Sequence, residues 1–272
     1  MPSLETERGV SIHWEEMGRG HPVVLVHGWA MSSRAFAAQR EALSRSHRLV
    51  VLDLRGHGRS AVAAPGAGFG VEDHARDLTR LLAHLDLAGT ALVGWSMGGQ
   101  VALEALPGIA GRLAALVLLS ATPRFTASDD WPHGHAEAAV GALAARVERQ
   151  PERALRRFFE GMFTPGELDA AGQAALRAQV LEGGPCPSPE ALRGGLRSLR
   201  LSDHRHRLAA VGVPSLVVHG ERDPVCSPGA AAFTAQRLGA RLELLPGAGH
   251  APQLSCPARV NELLAGFLAE LP

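Results

Sequence analysis

The stretch "LVGWSMGGQVAL" (residues 92–103) sets a serine between two glycines, directly after an apolar run and directly before a helix-like one. A buried strand that turns sharply into a helix needs small residues on both sides of the turn. Such a turn holds the side chain at its apex clear of the core, and Gly94-x-Ser96-x-Gly98 has the pattern of a nucleophile elbow. A serine hydroxyl is a weak nucleophile near neutral pH, so the chemistry needs a base and a group that orients the base. In an elbow architecture these follow as acid, then histidine, on loops after later strands. Asp223 in "VVHGERDPV" and His250 in "LLPGAGHAP" occupy such places. Each has another use: Asp223 before Pro224 is a turn former, and His250 could cap its own turn. Asp203 is the rival acid, but it stands before a strand, at the wrong sheet edge. The order Ser96, Asp223, His250 points to acyl transfer through a serine nucleophile.

The tetrahedral intermediate of that reaction needs two donors for its oxyanion. The backbone N–H of Met97, the residue after the nucleophile, is one candidate. The other is the N–H of Trp29, in the loop after "VVLVHG", whose indole is also suited to packing or to lining a pocket. His57 in "DLRGHGRS" is read as organising its Gly-rich turn. "HGH" (133–135) and "HRH" (204–206) lack acidic or cysteine partners at a metal-binding spacing, so solvated loops are expected and no metal. Cys226, near Asp223, reads as packing.

Each of these residues needs an element to place it. Short apolar runs, "VSIHWEEMGRG", "PVVLVHG", "HRLVVLDLRGHG", "TALVGWS", "LAALVLLSATP", "VPSLVVHGERD" and "RLELLPGAGH", end in turn residues and alternate with amphipathic stretches such as "VEDHARDLTRLLAHLDL" and "PARVNELLAGFLAEL". The later runs are nearly continuous Val and Leu, as parallel strands covered on both faces require. An α/β domain with a mostly parallel sheet and helices on both faces is expected. Between about residues 124 and 207 the chain becomes Ala-, Arg- and Glu-rich without a convincing strand. The expectation is a core in two parts, 1–123 and 208–272, with a helical lid inserted at 124–207 over the carboxyl ends of the strands. "GGPCPSPE" reads as a loop between lid helices.

The chain has 272 residues, 46% hydrophobic and 20% charged, with a formal net charge of +0. That suits a globular protein and offers no global attraction for nucleic acid or anionic membrane. There is no lysine and no tyrosine, which reads as compositional bias. Three scattered cysteines suggest no disulfide framework. The charged start has no apolar signal core, and no apolar run is long enough to span a bilayer. A cytoplasmic monomer without cofactor is the expectation.

Together, "VVLVHGW", "DLRGHGRS", "GWSMGGQ", "GERDPV" and "GHAP" resemble the α/β-hydrolase superfamily. A narrower likeness, to the pimeloyl-acyl carrier protein methyl ester esterases of biotin synthesis, rests on "HGWAMSS", "GWSMGG", "SATPRFTASDDWP" (120–132) and "GHAP". The resemblance implies hydrolysis of the methyl ester of a carrier-bound dicarboxylic acyl chain, with Trp29, Ser96, Met97 and His250 at the substrate. It further implies lid arginines that meet an acidic carrier protein and an aromatic stretch along the acyl path. The matching segment is "PERALRRFFEGMF", in which Pro151 favours a helix start and Arg153, Arg156 and Arg157 share a face by spacing. Arg153 and Arg157 fall on the family's basic positions, and Phe158, Phe159 and Met162 on its acyl-contacting stretch. A solvated helix face is the other reading of the arginines. The chain departs from the pattern at Glu160, a charge in an apolar stretch, and at Gln253, where an aromatic is more usual. The alternatives are a general carboxylesterase, a thioesterase or a carbon–carbon bond hydrolase on the same scaffold, and a binding protein that keeps the pocket without turnover.

Overall fold

The computed structural model describes residues 2–6, 9–63 and 66–271. Its sheet begins with β1 (Ser3–Glu5), β2 (Val10–Met17), β3 (Pro22–Val26), β4 (Arg48–Leu52) and β5 (Ala61–Val62). It continues with β6 (Thr90–Trp95), β7 (Leu113–Leu119), β8 (Ser215–Gly220) and β9 (Arg241–Leu245). The spatial order is β1-β2-β4-β3-β6-β7-β8-β9, with β5 beside β2. β1, β2 and β5 pair antiparallel, as does β2 with β4; from β4 to β9 every pairing is parallel. The Val- and Leu-rich runs sit in the middle of the sheet, where β6 and β8 are buried along their whole length. Each such Val or Leu contributes roughly 1.5–3 kcal/mol on leaving water. β1 and β5 are short edge pieces with no apolar run to announce them.

Helices cover both faces: α1 (Ala37–Leu43), α2 (Val71–His84) and α3 (Met97–Ile109) between the early strands, and α8 (Pro228–Leu238), α9 (Pro252–Ser255) and α10 (Pro257–Ala269) after β8. Between β7 and β8 the chain leaves the sheet and runs through α4 (Glu137–Arg149), α5 (Pro151–Glu160), α6 (Ala170–Arg177) and α7 (Pro189–Leu201). Pro151 opens α5, Asp169 caps α6 through Gly172 N–H, and Ser188 caps α7 through Ala191 N–H. These starts follow from local chemistry, since a side-chain oxygen takes an orphan N–H and proline loses none. Bridge Arg124↔Asp203 joins the two ends of this stretch to each other, and Thr126↔His135 closes a loop within it. Among the described residues no helix is long and apolar enough to cross a membrane.

Candidate active site

β6 ends at Trp95 and α3 begins at Met97, leaving Ser96 alone to turn the chain. Its φ of 54° and ψ of −119° lie where a non-glycine residue is strained. The surrounding glycines explain why the turn is possible. A Cβ at Gly94 would stand 2.5 Å from the Gly98 carbonyl oxygen, one at Gly98 would collide with the Val26 carbonyl of β3, and one at Gly99 would meet Ala121 Cβ at 2.5 Å. Ser96 N–H donates to Leu119 C=O at 3.0 Å, fixing the apex against β7.

Two later loops meet this apex. His250 Nε2 lies 2.9 Å from Ser96 Oγ, and His250 Nδ1 lies 2.9 and 3.1 Å from Asp223 Oδ2 and Oδ1. A carboxylate only accepts, so Nδ1 carries the proton and Nε2 is left to accept from the serine hydroxyl. Asp223 follows β8 and is held by Val225 and Cys226 N–H, each 2.8 Å from Oδ1. His219, fully buried on β8, places Nε2 2.8 Å from the Cys226 carbonyl and 3.2 Å from Asp223 Oδ2. Burial works against the Asp223 charge, but it is outweighed by His250, His219 and the Cys226 N–H, so the carboxyl stays below its usual range. Desolvation lowers the affinity of His219 for a second proton, in spite of Asp223 beside it. The rival acid, Asp203, is occupied elsewhere by Arg205 and Arg124. These hold its carboxyl at about 2 against the opposing effect of burial.

Trp29 stands in the turn after β3. His27 orders that turn by donating from Nδ1 to Gly28 C=O (2.8 Å) and accepting Leu54 N–H at Nε2 (2.9 Å). A Cβ on Gly28 would crowd Ser96 Cβ at 3.0 Å, which brings this backbone close to the nucleophile. Among the described residues, neither Trp29 nor Met97 spends its backbone N–H on the fold. The Trp29 indole donates to Leu192 C=O of α7 at 3.0 Å and stacks edge-on against Phe158, with centroids 5.0 Å apart.

Ser96 opens on a tight apolar pocket of about 10 Å³, walled by Trp29, Met97, Phe125, Leu143, Phe158, Leu196, Leu199 and Val225, with Gln100 and Thr122 as its polar members. Phe125, Leu143, Phe158 and Val225 are shared with an outer, solvent-open cavity that adds Arg146 and Arg157. A neighbouring groove gathers Arg146, Arg149, Arg153 and Arg157 from α4 and α5. Among the described residues no carboxylate pairs with any of these four, whereas Arg156 faces Glu182 at 3.7 Å.

Of the residues expected along the acyl path, Phe158 lines the cavity and two do not. Phe159 is buried against Phe163, and Met162 is buried with its carbonyl turned to His250 N–H at 2.7 Å. On a helix, residues next to each other point about 100° apart, so consecutive aromatics cannot share one wall. Glu160 reaches Arg177 of α6 at 3.1 Å, away from the cavity residues. Gln253 is buried, its carbonyl taken by Gln39. His133 packs on Trp131, His135 bonds Val225 C=O at 2.6 Å, and Cys226 lines the cavity as a free thiol. The sequence did not single out Arg146, Arg149 or His219. The arginines were legible as a stripe on α4 only once α4 was known to lie beside α5.

A parallel sheet with a strained serine apex, and later loops bringing aspartate and histidine to it, is the layout of an α/β hydrolase. Residues 21–257 match the model of the α/β-hydrolase fold family, and the chain belongs to that family. The chain is 37% identical over 248 residues to the pimeloyl-[acyl-carrier protein] methyl ester esterase of Nitrosomonas europaea, covering 91% of this chain and 95% of that one. It is 34% identical over 252 residues to the protein of the same name in Nitrosospira multiformis, covering 91% and 94%. Among solved structures, an esterase from Exiguobacterium antarcticum superposes with a TM-score of 0.91 at 28% identity, covering 98% of this chain and 99% of that one. The protein is a carboxylic ester hydrolase.

Proposed function

We propose that this chain removes the methyl group from a pimeloyl-acyl carrier protein methyl ester, a step of biotin synthesis, by serine catalysis. The observation that carries the chemistry is the hydrogen-bonded line Ser96–His250–Asp223 at the mouth of an apolar cavity; the likeness to the two methyl ester esterases carries the substrate. Ser96 Oγ attacks the ester carbonyl while His250 Nε2 takes its proton. The Trp29 and Met97 N–H groups hold the oxyanion, each worth about 2.7–4 kcal/mol in such sites. His250 returns the proton to the departing methanol, then removes one from water as that water attacks the acyl-enzyme, leaving a free carboxylate and Ser96 restored. Asp223 keeps His250 in the productive tautomer and balances its charge.

The substrate has its ester at one end and a carrier protein at the other, so it needs a cavity open at one end. The apolar chamber at Ser96 and its continuation past Phe125 and Phe158 to Arg146 and Arg157 support that reading. We read 124–207 as the lid that builds this passage, and Arg146, Arg149, Arg153 and Arg157 as the face that meets an acidic carrier. The test compares kcat/KM on the carrier-bound methyl ester and on a small aryl ester in one preparation. The carrier ester is expected to win. Arg146→Glu combined with Arg157→Glu is expected to lower kcat/KM on the carrier ester at least about ten-fold more than on the aryl ester, with a matching loss of salt dependence. Equal losses on both, or an aryl ester turned over faster than the carrier ester, would leave a general carboxylesterase.

A further inference from the structure

The backbone of His250 is held from two sides. Its carbonyl accepts the Trp95 indole N–H of the core at 2.9 Å, and its N–H donates to the Met162 carbonyl, just past the end of α5, at 2.7 Å. The same turn makes two more bonds to the histidine loop. Glu167 Oε2 accepts Gly249 N–H at 2.9 Å, and Thr164 Oγ1 donates to Gly247 C=O at 3.0 Å. Glu167 Oε2 also accepts Thr164 N–H at 2.7 Å, closing the turn on itself. Approach is close enough that a Cβ on Gly249 would collide with the Met162 carbonyl and stand 2.8 Å from Glu167 Oε2. Three polar groups of the loop, on Gly247, Gly249 and His250, thus end on three residues, Thr164, Glu167 and Met162, of one short turn in the inserted segment.

We propose that the turn 162–167 positions His250, with Glu167 as its positioning residue, so that acid–base chemistry requires the inserted helices to be seated on the core. The proposal rests on the reading of His250 as general base. A loop amide bound to a carboxylate makes a charge-assisted bond, stronger than one to a neutral carbonyl, and Gly249 adjoins the histidine directly. An imidazole displaced by about 1 Å from its attack geometry costs on the order of a hundred-fold in rate. The turn follows directly on α5, which also carries Arg153 and Arg157. A partner bound to that helix therefore pulls on the same segment that holds the base.

The experiment measures kcat and KM for a small aryl ester, and the rate of covalent labelling by a fluorophosphonate, in the full-length protein and in Glu167→Ala, Glu167→Gln and Thr164→Val. Glu167→Ala is expected to lose about ten-fold in kcat and in labelling rate with KM within about two-fold of the parent. Glu167→Gln, whose amide oxygen still accepts both N–H groups, is expected to recover most of the loss. If Glu167→Ala does not fold, Thr164→Val, which removes the hydroxyl that bonds Gly247 C=O and Glu167 Oε2, is expected to lower kcat about three-fold at unchanged KM. Parental kcat in folded Glu167→Ala or in Thr164→Val overturns the proposal, as does a loss that Glu167→Gln shares in full. Ser96→Ala and His250→Ala run alongside. Turnover retained by them overturns the serine mechanism as well, whereas their inactivity beside a fully active Glu167→Ala removes the clamp alone.

Discussion

Imidazole is useful as a base only if its proton sits on the nitrogen away from the nucleophile, and at His250 that choice is made by Asp223. The carboxylate has its two oxygens divided among His250, the Val225 and Cys226 amides and His219. In Asp223→Asn the single amide oxygen is claimed by the two backbone N–H groups, and the NH₂ turns to His250 Nδ1. The ring must then carry its proton on Nε2, where it can no longer accept from Ser96. The expected loss in kcat is about 10³–10⁴-fold with KM little changed; steady-state kinetics showing less than about ten-fold would remove Asp223 from this role. Because Asp223 is held below the usual carboxylate range, its charge is lost only when the pH falls through that depressed value. Its protonation therefore does not set an acid limb of activity in the ordinary carboxylate range.

At the scale of elements, the turn between β6 and α3 works because three glycines let a strand and a helix approach without a Cβ between them. Gly98 faces the Val26 carbonyl of β3, which is backbone within the sheet and cannot swing aside. Gly98→Ala is expected to cost about 1–3 kcal/mol of stability, the usual penalty of overpacking, and to lower kcat by moving Ser96. Denaturant unfolding and aryl ester turnover check both, and an alanine variant as stable and active as the parent would show that the helix can shift freely. α5 shows a second division of labour. Its arginines at 153, 156 and 157 are exposed, while Ala154, Leu155 and Phe159 are buried. One helix thus presents charge outward and seals the cavity region inward.

Across the described residues, seven histidines are buried. His27, His57, His74, His204 and His219 all have lowered proton affinity, chiefly through desolvation, with His57 at about 3 and His204 at about 4. At His57 a proton is disfavoured further by His27, at a ring distance of 5.4 Å; His74 lies 6.0 Å away. The unfolded chain takes up protons near pH 6.5, where the folded chain leaves these rings neutral. Stability is thus full above that range, falls as the pH drops through it, and stops falling once the folded values are passed. Each such ring contributes up to about 1.4 kcal/mol of loss per pH unit in the window. The midpoint of thermal unfolding is expected to drop steadily from pH 7 to pH 5, and His57→Gln is expected to flatten that slope. A midpoint constant over the interval would contradict it.

The alternating pattern of the chain was enough to read an α/β fold with a parallel sheet, because buried parallel strands must be continuously apolar and their crossovers must be amphipathic helices. It was also enough to order Ser96, Asp223 and His250 along the chain, since each stands at a strand end marked by its own turn residues. β1 and β5 escaped notice because short edge strands need no apolar run. Phe159 and Met162 were placed along the acyl path on the strength of resemblance; the helical rotation from Phe158 directs Phe159 elsewhere, and Met162, past the end of α5, turns its carbonyl to His250 N–H. Only the tertiary structure decided that Arg146 and Arg149 join Arg153 and Arg157 on one face, that His219 backs Asp223, and that Glu167 reaches Gly249 from 82 residues away. Local patterns register which groups must be buried; partnerships between distant turns depend on how helices pack over the sheet, and a periodicity of 2 or 3.6 carries no record of that.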